Sequence, residues 1–227
     1  MTTVLVTGEP GTGKTSLLMN LSRRLHVAGV ISRPRVDEFG KRTDIVAVFP
    51  DTGEQIDLAT VARIPQNADV ARLLAEPTDT ATDSSAATGT GAGDGVMVGP
   101  WRFSPLAITS VNARLTELAG IGGCTESSLA DRPVEEPLPP CPVVLIDEIG
   151  PLELLRHGGF LPGLAAVMRS ALPAIVVVRP ALVAELRRTI GSFSNLRSPQ
   201  HLHTVTIAHP AHIDPTATRI LAMLRGL

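Results

Sequence analysis

Short apolar runs recur along the chain, each bounded by Gly, Pro, Asp or Ser, and between several of them apolar residues repeat at helical spacing. The first run, Val4-Leu5-Val6, precedes a glycine-rich turn and an amphipathic stretch over 17–25, which predicts strand, turn and helix in that order. Residues 28–33 and 44–49 predict two more strands, and the turn chemistry of 37–42 joins them as a hairpin. A short extended piece is expected within 54–64. Trp101-Arg102-Phe103 then leads into 105–119, where Leu106, Ile108, Val111, Leu115 and Leu118 share the spacing of one helix face. From 143 onward the pattern alternates: strand 143–146, helix 160–170, strand 174–179, helix 181–190, strand 202–207, helix 215–224. Apolar strands alternating with helices predict an α/β fold, a three-layer sandwich with a mostly parallel central sheet and helices on both faces.

Two stretches break this rhythm. Residues 76–95 collapse into Thr, Asp, Ser, Ala and Gly with no apolar periodicity, and 120–142 are rich in Gly and Pro. Both read as flexible surface insertions in a single domain spanning 1–227. A chain of 227 residues with 44% hydrophobic content supports one substantial core. A net charge of −2 gives no reason to expect a nucleic-acid partner. No apolar run approaches the roughly 18 residues of a membrane span, and no signal-peptide pattern opens the chain, so a cytoplasmic protein is expected. Cys124 and Cys141 flank a loop-like segment, and in such a compartment free thiols are expected.

The turn after the first strand carries the chemistry. Gly8-Glu9-Pro10-Gly11-Thr12-Gly13-Lys14-Thr15 fits G-x-x-x-x-G-K-[ST], with Ser16 continuing into the helix. Glycines let backbone N–H groups converge on phosphate oxygens, and the helix N-terminus adds a favourable field. Lys14 is placed to reach the β- and γ-phosphates, and Thr15 to offer a hydroxyl to Mg²⁺. Lys14 and Lys41 are the only lysines, so the motif does not arise from lysine abundance.

A second half of the site is predicted at 143–150. Val143-Val144-Leu145-Ile146 ends in Asp147 and Glu148, which places two carboxylates at the carboxyl end of a parallel strand, where open α/β sheets bind ligands. In a phosphate-loop protein, Asp147 supports Mg²⁺ and Glu148 polarises an attacking water. The strand over 174–179 ends in Arg179. If it lies between the strands that lead to Lys14 and Asp147, Arg179 faces the γ-phosphate and joins Lys14 and Glu148 as a catalytic candidate. Arg42, Arg102, Arg156 and Arg169 are further charge stabilisers to consider, whereas Arg187 and Arg188 read as a solvated helix face. Trp101 suits either a nucleobase stack or lid packing. His201, His203, His209 and His212 match no zinc spacing and read as surface residues.

Together these segments resemble the small nucleoside-triphosphatases of the THEP1 type, which are akin to nucleotide kinases. The resemblance rests on the phosphate loop, on Val30-Ile31-Ser32 with the Gly40-Lys41-Arg42 turn, on Trp101-Arg102-Phe103, and on Leu145-Ile146-Asp147-Glu148-Ile149-Gly150-Pro151-Leu152-Glu153-Leu154 with Gly159-Phe160. It covers nearly the whole chain apart from 76–95 and much of 120–142. It implies a P-loop NTPase fold and Mg²⁺-dependent hydrolysis of nucleoside triphosphates such as ATP and GTP, with weak base preference. The absence of an Asn-Lys-x-Asp guanine-reading motif points the same way on base preference. Two rivals use the same loop: phosphoryl transfer to a small acceptor, with the arginine-bearing segment 156–188 contributing to a lid, and a slow nucleotide-operated switch with an unknown protein partner.

Overall fold

The computed structural model describes residues 2–62, 95–121, 142–193 and 201–225. Most of 76–95 and 120–142, with both cysteines, lies outside the described residues. Among the described residues, nine strands form one sheet: β1 (Thr2–Thr7), β2 (Val27–Val36), β3 (Arg42–Val48), β4 (Gln55–Val61), β5 (Val96–Val98), β6 (Trp101–Phe103), β7 (Val143–Ile149), β8 (Ala174–Val178) and β9 (His201–Thr206). Their order is β5-β6-β4-β3-β2-β7-β8-β1-β9. From β2 to β9 every pairing is parallel, and from β2 to β5 every pairing is antiparallel.

The predicted 28–33/44–49 hairpin is therefore present, but its first strand has two roles. Val27 to Val30 pair with β7 in parallel, and Ile31 to Val36 pair with β3 antiparallel. Pro34 sits in the second half, beyond the last β7 pairing, so its missing N–H leaves no gap in the parallel ladder. The extended piece expected at 54–64 is β4, and Trp101–Phe103 is a strand that closes a small hairpin with β5.

Helices cover both faces. Because strand side chains alternate, Val4 and Val6 of β1 point to one side and Leu5 to the other. The Val4 side meets α1 (Lys14–Ser22), through Leu17, Leu18 and Leu21, and the C-terminal helix over Ile213–Arg225, through Ala217, Ile220 and Leu224. The Leu5 side is covered by α2 (Pro105–Ile121) and by helices over Leu161–Arg169 and Val183–Ser192, with Val111, Leu115, Leu164, Met168 and Leu186 fully buried. A one-turn helix, α3 (Pro151–Leu154), follows β7 directly. We number the three remaining helices in chain order as α4 (Leu161–Arg169), α5 (Val183–Ser192) and α6 (Ile213–Arg225). Apolar side chains on both faces explain why β1 and β8 are buried at every position.

Candidate nucleotide site

The loop over 8–13 leaves the carboxyl end of β1 and delivers the chain into α1. Gly13, the residue before the helix, has φ +96, and a Cβ there would lie 2.9 Å from Ile213 Cδ1 at the start of α6. The left-handed backbone favours glycine, and a side chain there would also have to displace the end of Ile213. No side chain caps α1, so its first N–H groups remain available at the loop, the arrangement that favours an anion. Lys14 Nζ lies in the hollow of the loop and donates to Gly8 O at 2.6 Å and Glu9 O at 2.8 Å. Partial burial lowers its pKa, against the opposing pull of Glu148 and Asp147.

The acids arrive on β7, which does not end as a regular strand. Ile146 is opposite Val176 of β8 and Ile149 is opposite Val178, so Asp147 and Glu148 together face one residue, Val177. This bulge uses a left-handed conformation at Glu148, φ 60, uncommon for a residue with a side chain. It lets Ile149 return to the Leu5-side core while Glu148 turns out to solvent.

Asp147 points the opposite way and is fully buried. Its Oδ2 accepts from Thr15 Oγ1 at 3.0 Å and from the Ser32 N–H at 3.3 Å, which ties β7 to both α1 and β2. Its Oδ1 is buried with no hydrogen-bond partner among the described residues. Burial raises the Asp147 pKa from 3.8 to about 7. The neighbouring Glu148 charge adds to the rise, and the Thr15 and Ser32 hydrogen bonds oppose it.

β8 does lie between β1 and β7, so the condition set for Arg179 is met. Arg179 follows the last residue of that strand and lines the same cleft as Lys14, Thr15 and Glu148. Arg42 and Trp101 also line it. Arg33 lines it too, whereas the remaining candidates do not. Arg156 donates to Met97 O at 2.8 Å, Arg169 lies 5.6 Å from the centre of the Phe193 ring, and Arg102 is not among the cleft-lining residues. Arg187 bonds Thr204 Oγ1 of β9 at 2.7 Å. Of the arginines in 156–188, Arg179 alone lines the cleft. The four histidines of the C-terminal region are all exposed.

Glu153 has a structural role that the residue pattern left unassigned. It is almost completely buried on α3, where its Oε2 accepts the Gly150 N–H at 2.8 Å and its Oε1 accepts the Phe160 N–H at 3.1 Å. Gly159 passes so close, at φ +54, that a Cβ would overlap Oε1. Burial raises the Glu153 pKa, opposed by these N–H donors. The carboxylate clamps both ends of the 150–160 segment beside Glu148. The sequence signal was an acid between two leucines in an otherwise apolar turn.

A parallel sheet whose phosphate loop, buried Asp and catalytic-side strand order converge at one edge defines the P-loop NTPase fold, here with an antiparallel extension. Two solved structures share it along the full chain. The crystal structure of THEP1 from the hyperthermophile Aquifex aeolicus aligns with a TM-score of 0.61 at 16% identity, covering 98% of each chain. The solution structure of a human cancer-related nucleoside triphosphatase aligns with a TM-score of 0.58 at 19% identity, covering 100% of this chain and 98% of that one. The chain thus has the fold of THEP1-type nucleoside-triphosphatase structures. No family model matches the sequence, and neither does any curated protein.

Proposed function

We propose that the chain hydrolyses nucleoside 5′-triphosphates to the diphosphate and phosphate with Mg²⁺, tolerating several bases, ATP and GTP among them, and acting as a single domain. The observation that carries this reading is the convergence of Lys14, Thr15, Asp147, Glu148 and Arg179 at the carboxyl ends of three adjacent parallel strands. Residues Gly8 to Ser16 hold the phosphates through loop N–H groups and the α1 N-terminus. Lys14 exchanges its loop carbonyls for β- and γ-phosphate oxygens. Arg179 faces the charge that develops on the transferred group, and Glu148, turned into solvent by the bulge, accepts a proton from the attacking water.

The residues fit Mg²⁺. Thr15 Oγ1 and Asp147 Oδ2 form an oxygen pair 3.0 Å apart, and Asp147 Oδ1 is a buried acceptor without a partner among the described residues, as a hard cation with its water shell prefers. When bound, Mg²⁺ supplies neutralisation of the β- and γ-oxygens. The human protein of the same fold is a nucleoside triphosphatase, which supports the reading by analogy.

Glu148→Gln tests it, since the change keeps shape and removes the charge from a residue that does not need to touch the nucleotide. Triphosphate affinity, measured by calorimetry, should stay within about twofold while turnover falls by roughly 10²-fold, the scale for a positioned base. Near-normal phosphate release from this variant would refute the role given to Glu148.

A further inference from the structure

The backbone at Glu148 is left-handed, φ 60, a conformation that a residue with a side chain keeps only where its surroundings fix it from both directions. Upstream, the fixing is plain. Ile146 pairs with Val176 of β8, and Asp147 is bonded to Thr15 and Ser32. Downstream, β7 pairs for the last time at Ile149, opposite Val178, and the strand ends there. The N–H of the next residue, Gly150, goes to Glu153 Oε2 at 2.8 Å. That hydrogen bond fixes the Ile149–Gly150 peptide, one residue past Glu148.

Two features separate this carboxylate from an ordinary helix cap. A glutamate at the third position of a helix commonly reaches back to the N–H ahead of the first turn, as Glu153 does, but such a cap needs only one oxygen. Glu153 uses both oxygens and is only 5% exposed. Burying a carboxylate costs more than capping a one-turn helix returns. Its second oxygen, Oε1, accepts the N–H of Phe160, a core residue, at 3.1 Å. The chain around Phe160 is in turn bound to α2: Asn112 donates to Gly159 O at 2.9 Å and accepts the Gly163 N–H at 2.8 Å. Glu153 thus joins the peptide after the bulge to a stretch of core anchored from another helix. We propose that Glu153 is a positioning residue for Glu148, holding the bulge so that the Glu148 carboxylate faces the attacking water. The proposal rests on the hydrolytic role given to Glu148 above. Glu153 acts through the backbone and needs no contact with the nucleotide.

The test is a double-mutant cycle on turnover, run with Mg²⁺ and ATP on folded protein below the melting range of every variant. Glu153→Ala should lower kcat by roughly tenfold or more, because a displaced base loses rate. Affinity for a non-hydrolysable ATP analogue, measured by calorimetry, should stay within about twofold, since no nucleotide contact is lost. In a Glu148→Gln background the same substitution should change kcat by less than about twofold, because nothing remains for it to position. Glu153→Gln can accept only one of the two N–H groups and should fall between wild type and Glu153→Ala, with the same cancellation. It carries the cycle if the alanine variant does not fold. Wild-type kcat in the folded Glu153 variants would overturn the proposal. So would an equal loss in both backgrounds, or a roughly tenfold loss of analogue affinity, since a general loosening of the cleft would produce either. Glu148→Gln alone separates this inference from the reading beneath it. Near-normal kcat there undoes the role of Glu148 itself, whereas a loss of roughly 10²-fold there beside wild-type kcat in the Glu153 variants undoes the positioning alone.

Discussion

Asp147→Asn should change stability in a pH-dependent direction that a surface carboxylate could not produce. In the unfolded chain the carboxyl titrates near 3.8, and in the fold burial moves it to about 7. A group raised in the folded state contributes most below its unfolded pKa, and that contribution is lost as pH rises toward the folded value. At somewhat over 1 kcal/mol per unit, carrying Asp147 in the fold costs about 2 kcal/mol at about pH 5 and about 4 kcal/mol at about pH 8. Asparagine can still accept from Thr15 and Ser32, but its amide places an unpaired donor where Oδ1 now lies. That defect costs about 1–3 kcal/mol at either pH, so it cancels from the comparison between them. The stability of Asp147→Asn relative to wild type should therefore rise by roughly 2–3 kcal/mol between the two pH values. For a chain of this size that is about 5–10 °C in Tm. Thermal melts of both proteins without metal or nucleotide, at each pH, read this double difference directly, and titrating groups remote from Asp147 cancel. With Mg²⁺ and a triphosphate the order should reverse, wild type gaining more than the variant. A melting difference that does not change with pH would mean that Asp147 is solvated and that its buried, half-partnered geometry is wrong.

Lys14→Ala should abolish detectable turnover and weaken triphosphate binding, because Lys14 is the one ammonium in the loop and acts on both ground and transition states; wild-type phosphate release would remove the loop from the mechanism. Glu153→Gln should destabilise the fold by about 1–3 kcal/mol, since the new amide meets a backbone donor at Gly150 or Phe160 where a carboxylate oxygen accepted one. An unchanged denaturant midpoint in that variant would show that the 150–160 segment is held by something else.

The parts of this molecule that follow from local pattern were legible in the residues. The phosphate loop is contiguous, and β7 and β8 are runs of apolar residues buried on both faces, so both halves of the candidate site could be placed at strand ends without coordinates. Helix ends moved by a few residues. The first helix starts at Lys14 rather than at the apolar residue Leu17, because glycine at 13 permits the turn and the loop lysine already takes helical geometry. What could not be read depends on pairing between distant segments. β2 changes partner in mid-strand, from β7 to β3, and neither composition nor spacing records that switch. The part of the cleft lined by Trp101 exists only because β6 pairs with β4 across a long intervening stretch of chain. The Glu153 clamp likewise requires α3 to fold back onto Gly159 and Phe160.

The bulge at Asp147 and Glu148 shows most directly how the fold and the chemistry compete. Regular alternation would have sent Glu148 into the Leu5-side core, where an unpaired carboxylate costs several kcal/mol. Inserting one residue avoids that outcome at the expense of a left-handed glutamate, about 1–3 kcal/mol, and leaves Asp147 buried with an unpartnered oxygen. A strand end selected for stability alone would carry glycine at 148 and a polar residue with full partners at 147. Instead two adjacent acids are held at opposite settings: one dry, raised in pKa and bonded to the loop threonine, the other exposed to the cleft. That separation is what the proposed hydrolysis needs from neighbouring carboxylates, because a group that supports a cation and a group that takes a proton from water cannot share one environment. The unfavourable local terms at 147 and 148 are thus concentrated where charge and water must be controlled. The strands on either side, β8 buried throughout and β2 buried from Val27 to Ser32, hold them there.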